Sequence, residues 1–206
     1  FFASLPGASG SVAAPKPDTL IIYDLGYGAS AACFTSAAGN SVLIDTGGKF
    51  SLESQVGPSL IRLGIKPDSV ILTHADAGHA APPSLLSEMF PLQQAASGMM
   101  AAPGSVAAEW TDFRDPLVNV FQPAKGARLD FGGGAWGEVL LSPADGLLGS
   151  LADDRAMVFR LHWRGWKILF TGDAVLLSQA PLLQSFYDLP SAFLLSSLPF
   201  SSLLLP

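Results

Sequence analysis

SVILTHADAGHA, residues 69–80, is the stretch on which the reading of this 206-residue chain turns. Ser69 to Leu72 has the make-up of a short buried strand, and side chains that can ligate metal follow it at once. Open α/β sheets place their ligand sites where such strands end. His74 leaves the strand, Asp76 comes two residues later and His79 three after that. If the chain turns into a helix near Ala75, Asp76 and His79 stand at i and i+3 on one helical face. His74 then faces the same space from the strand end. Two imidazoles and a carboxylate converging there form a nitrogen–oxygen donor set for a divalent metal.

Before this stretch, Thr19 to Leu25 is a β-branched run that predicts a strand, with Gly26 and Gly28 marking a tight turn. A second strand is expected over Ala31–Thr35 and a third over Ser41–Ile44, with Ala38-Gly39-Asn40 as the turn between them. Asp45-Thr46-Gly47-Gly48 closes the third strand. A helix is predicted from Leu52 to Leu63, stopped by Gly64. After His79, Pro82 and Pro83 suit the first turn of a helix running to Phe90.

Gly98–Ala102 reads as a strand and Ser105–Asp112 as a short helix, with Trp110 and Phe113 as core or lid aromatics. Further strands are expected at Arg128–Phe131, Gly137–Ser142, Arg155–His162 and Trp166–Thr171, the last two paired across Trp163-Arg164-Gly165. Gly172-Asp173 ends the last of these, and Ala174–Tyr187 reads as helical.

THADAGH (73–79), LIDTGG (43–48) and ILFTGDA (168–174) occur in the order of the metallo-β-lactamase fold, whose signature the first resembles. Together with GSLADDRAMVFRLHWRGWKILFTGDA (149–174), they most resemble the domain of that fold in ComEC-type DNA-internalisation proteins. The resemblance spans about residues 19–175. It implies an α/β (α+β) fold, a four-layer αββα sandwich, truncated or incomplete at its C-terminus. Residues 1–18, rich in Gly, Ser, Ala and Pro, then form a linker, and 19–206 one metallo-β-lactamase-like domain.

Carried over residue by residue, the resemblance makes His74, Asp76, His79 and Asp173 metal ligands, with Asp173 bridging two ions in the family. Asp45 would lie beneath the metal and orient a ligating imidazole. Read alone, Asp45 is equally an Asx turn capping local backbone. Two departures weaken the site. Gly78 stands where the family has a metal-binding aspartate, and residues 195–201 contain no histidine where the family has one. Ala29 also replaces a polar group expected after the second glycine of DLGYGAS, and AAPP (80–83) replaces a glycine pair. At most four protein ligands remain, enough for one zinc or manganese ion or for none. No catalytic residue is assigned.

The composition suits either a domain cut from a larger, membrane-associated protein or, more plainly, a small well-packed domain. Hydrophobic residues make up 49% and charged residues only 14%, low for a free-standing soluble protein. A net charge of −6 argues against a strongly basic nucleic-acid surface. Arg155, Arg160, Arg164 and Lys167 gather around one hairpin, where they read as a solvated face or as contacts to a nucleic-acid backbone. His162 reads as structural, and the single cysteine, Cys33, as a core thiol. Residues 189–206 are apolar but interrupted by Pro190 and Pro199, and the opening segment lacks a basic start.

The resemblance therefore implies a soluble domain of a polytopic protein in the bacterial cytoplasmic membrane. Its partners would be single-stranded DNA and membrane-embedded segments of the same protein, with catalysis weakened or lost. The alternatives are an active single-metal phosphodiesterase or nuclease acting on single-stranded DNA, and a thioesterase or lactonase on the same fold.

Overall fold

The computed structural model describes residues 17–26, 28–98, 105–145 and 155–174, and the backbone of 192–195. Two sheets face each other. The first is ordered as the chain runs: β1 (Thr19–Asp24), β2 (Ser30–Thr35), β3 (Ser41–Ile44), β4 (Ser69–Leu72), β5 (Gln94–Ser97) and β6 (Asn119–Phe121). β1, β2 and β3 pair antiparallel, and from β3 to β6 every pairing is parallel. The second sheet has the order β11-β10-β9-β8-β7. It comprises β7 (Arg128–Gly132), β8 (Ala135–Leu141), β9 (Val158–Trp163), β10 (Trp166–Phe170) and β11 (Ala192–Leu195), with β11 parallel to β10.

Alternation along the strands separates two cores. Ala31, Cys33, Leu43, Val70, Leu72 and Ala95 face helices, whereas Ala32, Phe34, Val42, Ile44, Ile71 and Ala96 face the second sheet. Both faces of the central strands are thus buried, as parallel strands require. Phe131, Val139, Phe159, Leu161 and Phe170 close the inter-sheet core from the opposite side. A smaller cluster of Leu141, Val158, Leu169 and Ala174 lies beyond the second sheet. The helix expected over Ala174–Tyr187 lies outside the described residues apart from Ala174.

The first helical stretch is longer than the sequence suggests. It runs through α1 (Gly48–Ser51), a π-helical segment (Leu52–Val56) and α2 (Gly57–Arg62). Pro58 lacks an N–H and its ring crowds the carbonyl four residues back, so the helix widens just before it. At its end Gly64 N donates to Ile61 O and Ile65 N to Leu60 O, with Gly64 at φ +68°. That pair of bonds is a Schellman stop. α3 (Pro83–Met89) and α4 (Val106–Asp112) complete the outer layer, and buried Trp110 is core, its Nε1 donating to Ala81 O.

Three strand readings shift. Instead of a strand over 98–102, β5 occupies 94–97, and residues 99–104 lie outside the described set. Ala95 and Ala96 have weak strand preference, so burial between two layers decides their conformation. β6 and β11 were not anticipated. The β9–β10 hairpin closes on two residues, Arg164 at φ +50° and Gly165 at φ +82°, as a two-residue turn of this twist needs. Asp18 accepts bonds from Ala37 N, Trp163 Nε1 and Arg164 Nε, tying the start of β1 to hairpins of both sheets. No helix among the described residues is long and apolar enough to cross a membrane.

Candidate metal centre

Three loops meet at the carboxyl ends of β3, β4 and β10. The first leaves β3 at Asp45, whose N–H still donates to Ile71 O and whose φ is +49°. Gly47 and Gly48 follow at φ +73° and +70°. This left-handed run brings Gly48 so close to the second loop that a Cβ on it would lie 1.7 Å from Ala77 O. Thr46 completes the seam: its N–H and Oγ1 both donate to His79 O, and Oγ1 accepts from Ala81 N.

The second loop carries the motif. Its 76–80 segment is a single helical turn closed by His79 N and Ala80 N on Asp76 O, not the start of a helix. Asp76 is exposed, while His74 and His79 are fully buried with ring centroids 4.1 Å apart.

Asp45 is the hub beneath them. Its Oδ1 accepts from Thr73 N at 2.8 Å, and its Oδ2 accepts from Thr73 Oγ1 at 2.8 Å and His79 Nδ1 at 2.9 Å. The Thr73 hydroxyl spends its one hydrogen on Asp45, so at 2.9 Å from His74 Nδ1 it accepts from that nitrogen. This assigns the neutral His74 ring the tautomer with its lone pair on Nε2, 3.8 Å from Asp173 Oδ2. Asp45 thus touches His79 directly and His74 through Thr73, and its partners lie far along the chain rather than in its own turn.

Asp173 arrives on the third loop, after Gly172 at φ +51°. A Cβ on Gly172 would meet Thr73 Oγ1 at 2.8 Å, so only glycine lets β10 end this close to β4. Asp173 Oδ2 lies 3.3 Å from His79 Nε2, and the buried Oδ1 has no hydrogen-bond partner.

The four sequence-predicted ligands thus converge, in two sets. Donor atoms of His74, Asp76 and Asp173 lie within 4.8 Å of one another, as do those of Asp45, His74 and His79. In the second set the Asp45 oxygens already accept three bonds. The first set, with one imidazole, two carboxylates and an unsatisfied buried oxygen, fits a single divalent cation with room for water.

His79 differs in its surroundings. Its Nε2 also lies 3.0 Å from Gly28 O, a group that can only accept. Burial opposes a charge on this ring, but the bonds to Asp173 and Asp45 outweigh it and push its pKa up to about 10. Thr73, Gly172 and the Gly28 carbonyl were not singled out from sequence. Thr73 precedes the first motif histidine, whereas the carbonyl belongs to a distant turn and left no local signal.

A cleft of about 310 Å³ opens beside the site, walled by Ile22, Leu25, Ala29 and Phe170 and floored by Asp45 and Thr73. The basic residues lie elsewhere. Arg160 bonds Glu138 at 2.6 Å, Arg164 bonds Asp18, and His162 stacks on Trp136 with ring centroids 4.0 Å apart while also touching Glu138.

No family model and no curated protein matches the sequence of this chain. Solved structures do match its shape. A metallo-β-lactamase of Cronobacter sakazakii with an HARLDQ motif is 15% identical, with 89% of this chain and 74% of that one covered at a TM-score of 0.54. MEM-A1, a subclass B3 metallo-β-lactamase from a soil metagenome library, is 16% identical over 89% and 80%, at 0.56. The metallo-β-lactamase-fold protein YhfI of Bacillus subtilis is 14% identical over 76% and 62%, at 0.51. With the two-sheet order and the three site loops, these likenesses identify the architecture: this chain has the metallo-β-lactamase fold.

Proposed function

We propose that this is a one-ion, catalytically weakened domain of metallo-β-lactamase fold, belonging to a ComEC-type DNA-uptake protein. The observation that carries the reading is a donor cluster adequate for one cation, with a glycine at position 78. Zinc or manganese suits imidazole with carboxylates. The ComEC-type assignment rests on the order and wording of the three motifs and the 149–174 stretch. Single-stranded DNA and membrane-embedded segments of the same protein are the partners it implies.

When bound, a divalent ion supplies Lewis acidity toward a water or a substrate oxygen. The chain's own residues set how far that goes. Asp45, through Thr73, holds His74 with Nε2 presented to the site. Asp76 reaches the cluster from the solvent side and leaves an approach for ligand. His79 holds Asp173 in place. Among the described residues, Gly28, Ala29, Asp45 and Thr73 border the cleft without supplying a cation to face a leaving group. Phosphodiester cleavage leans on a second cation for that charge, so turnover should be poor.

The test is turnover of a model phosphodiester and of single-stranded DNA by the zinc- or manganese-loaded chain, beside a DNA-binding measurement. Binding with turnover no higher than that of His74→Ala is expected. Robust metal-dependent cleavage that His74→Ala abolishes would establish an active single-metal nuclease instead.

A further inference from the structure

We infer that the cation belongs to His74, Asp76 and Asp173 alone, and that the β1–β2 turn fills the place a second ion on His79 would need. The inference rests on the one-ion reading above and says which residues enforce it.

Both ring nitrogens of His79 are committed within the protein, Nδ1 to Asp45 and Nε2 to Gly28 O at 3.0 Å. A metal on Nε2 would have to displace that carbonyl, and with it the turn. The turn is anchored at both ends. Ala29 N donates to Gly26 O, Ser30 N donates to Gly78 O at 3.2 Å, and Ser30 O accepts from Gly47 N at 2.9 Å. Gly26 at φ +68° and Gly28 at φ +76° give the chain the left-handed bends this path needs.

Gly78 is the counterpart of the turn. A Cβ built there would lie 3.3 Å from Ala29 Cα, tighter than ordinary contact, and 3.6 Å from Ala29 N and Ala29 Cβ, in ordinary contact, before any carboxylate is added. A side chain at 78 therefore presses on the backbone of residue 29, which would have to shift to admit one. The glycine at 78 and the alanine at 29, two separate departures in sequence, are therefore one feature: the turn packs down because position 78 has no side chain. His79 is left as a positioning residue for Asp173, and the three donors of the other set keep the cation.

The chain has three histidines, so the ring nitrogens can be followed individually in the 206-residue chain labelled with ¹⁵N-histidine, using His162→Gln and His79→Gln for assignment. Zinc is titrated at neutral pH. The expected result is that one equivalent moves His74 Nε2 to a metal-coordinated shift while the His79 nitrogens keep non-coordinated shifts. Coordination at His79 Nε2 overturns the inference and leaves the one-ion reading standing if only one equivalent binds. No coordinated nitrogen at either ring overturns both. Metal content of Gly78→Asp provides a second arm: it should stay at one equivalent per chain, and a second equivalent overturns the blocking role of the turn.

Discussion

Replacing Asp45 with asparagine removes the charge at the hub of the site while leaving its shape. Asparagine tolerates the +49° backbone, so no new strain is introduced. In the wild type, three donors converge on the carboxylate: Thr73 N, Thr73 Oγ1 and His79 Nδ1. One oxygen becomes an NH₂ in the variant, so either it meets Thr73 N, which can only donate, or Thr73 Oγ1 and His79 Nδ1 must turn from donating to accepting. The loss of a bond to a charged partner costs about 1.5–3 kcal/mol, and a neutral bond about 1 kcal/mol. His79 is also left buried with one carboxylate fewer, which brings the total to about 4 kcal/mol. A chain of this length loses roughly 2–4 °C in Tm per kcal/mol, so Tm should fall by about 8–16 °C. Urea unfolding followed by circular dichroism, with a thermal scan beside it, measures both. A change below about 1 kcal/mol would refute the hub assignment, because burial without those bonds cannot be that cheap.

Other outcomes follow from the same contacts. His79 has a folded pKa of about 10 against an ordinary 6.5, so its contribution to stability is complete below about pH 6.5 and is lost as pH rises through 10. Metal-free protein should therefore lose stability from pH 7 to 10, and Asp45→Asn should flatten that fall. Gly172→Ala forces a Cβ against Thr73 Oγ1 and His74 Nδ1. Zinc affinity by calorimetry should drop roughly tenfold or more, the range typical when a ligand's supporting group is disturbed. Cys33 is fully buried, and burial pushes its thiol up to about 12. A disulfide reagent at pH 8 should leave it untouched in the native chain and titrate one thiol after unfolding.

The site was legible where chemistry is written locally. Each of the three loops follows a strand that ends abruptly in polar residues, and that switch is visible without the fold. His74, Asp76, His79 and Asp173 stand out in this way, and the fold brings them near one another; which of them could share a cation is not written in the sequence. The contact that His79 Nε2 makes comes from Gly28, about 50 positions away, whose carbonyl carries no sequence signature. The same limit explains Arg160 and Arg164. Their partners lie far off in sequence, Glu138 on β8 and Asp18 just before β1, so a linear reading leaves these cations without partners.

In the fold, strongly β-branched strands were read nearly to the residue, whereas the alanine-rich β5 was displaced. The three-residue β6, and β11 within the apolar tail, were missed. Such short elements owe their conformation to neighbours that a linear reading does not supply.

The one-ion site stands or falls on how many divalent ions the purified chain holds. Elemental analysis after zinc loading and removal of free metal should return one equivalent per chain, and His74→Ala should reduce it to none. Two equivalents in the wild type, or none, would contradict it.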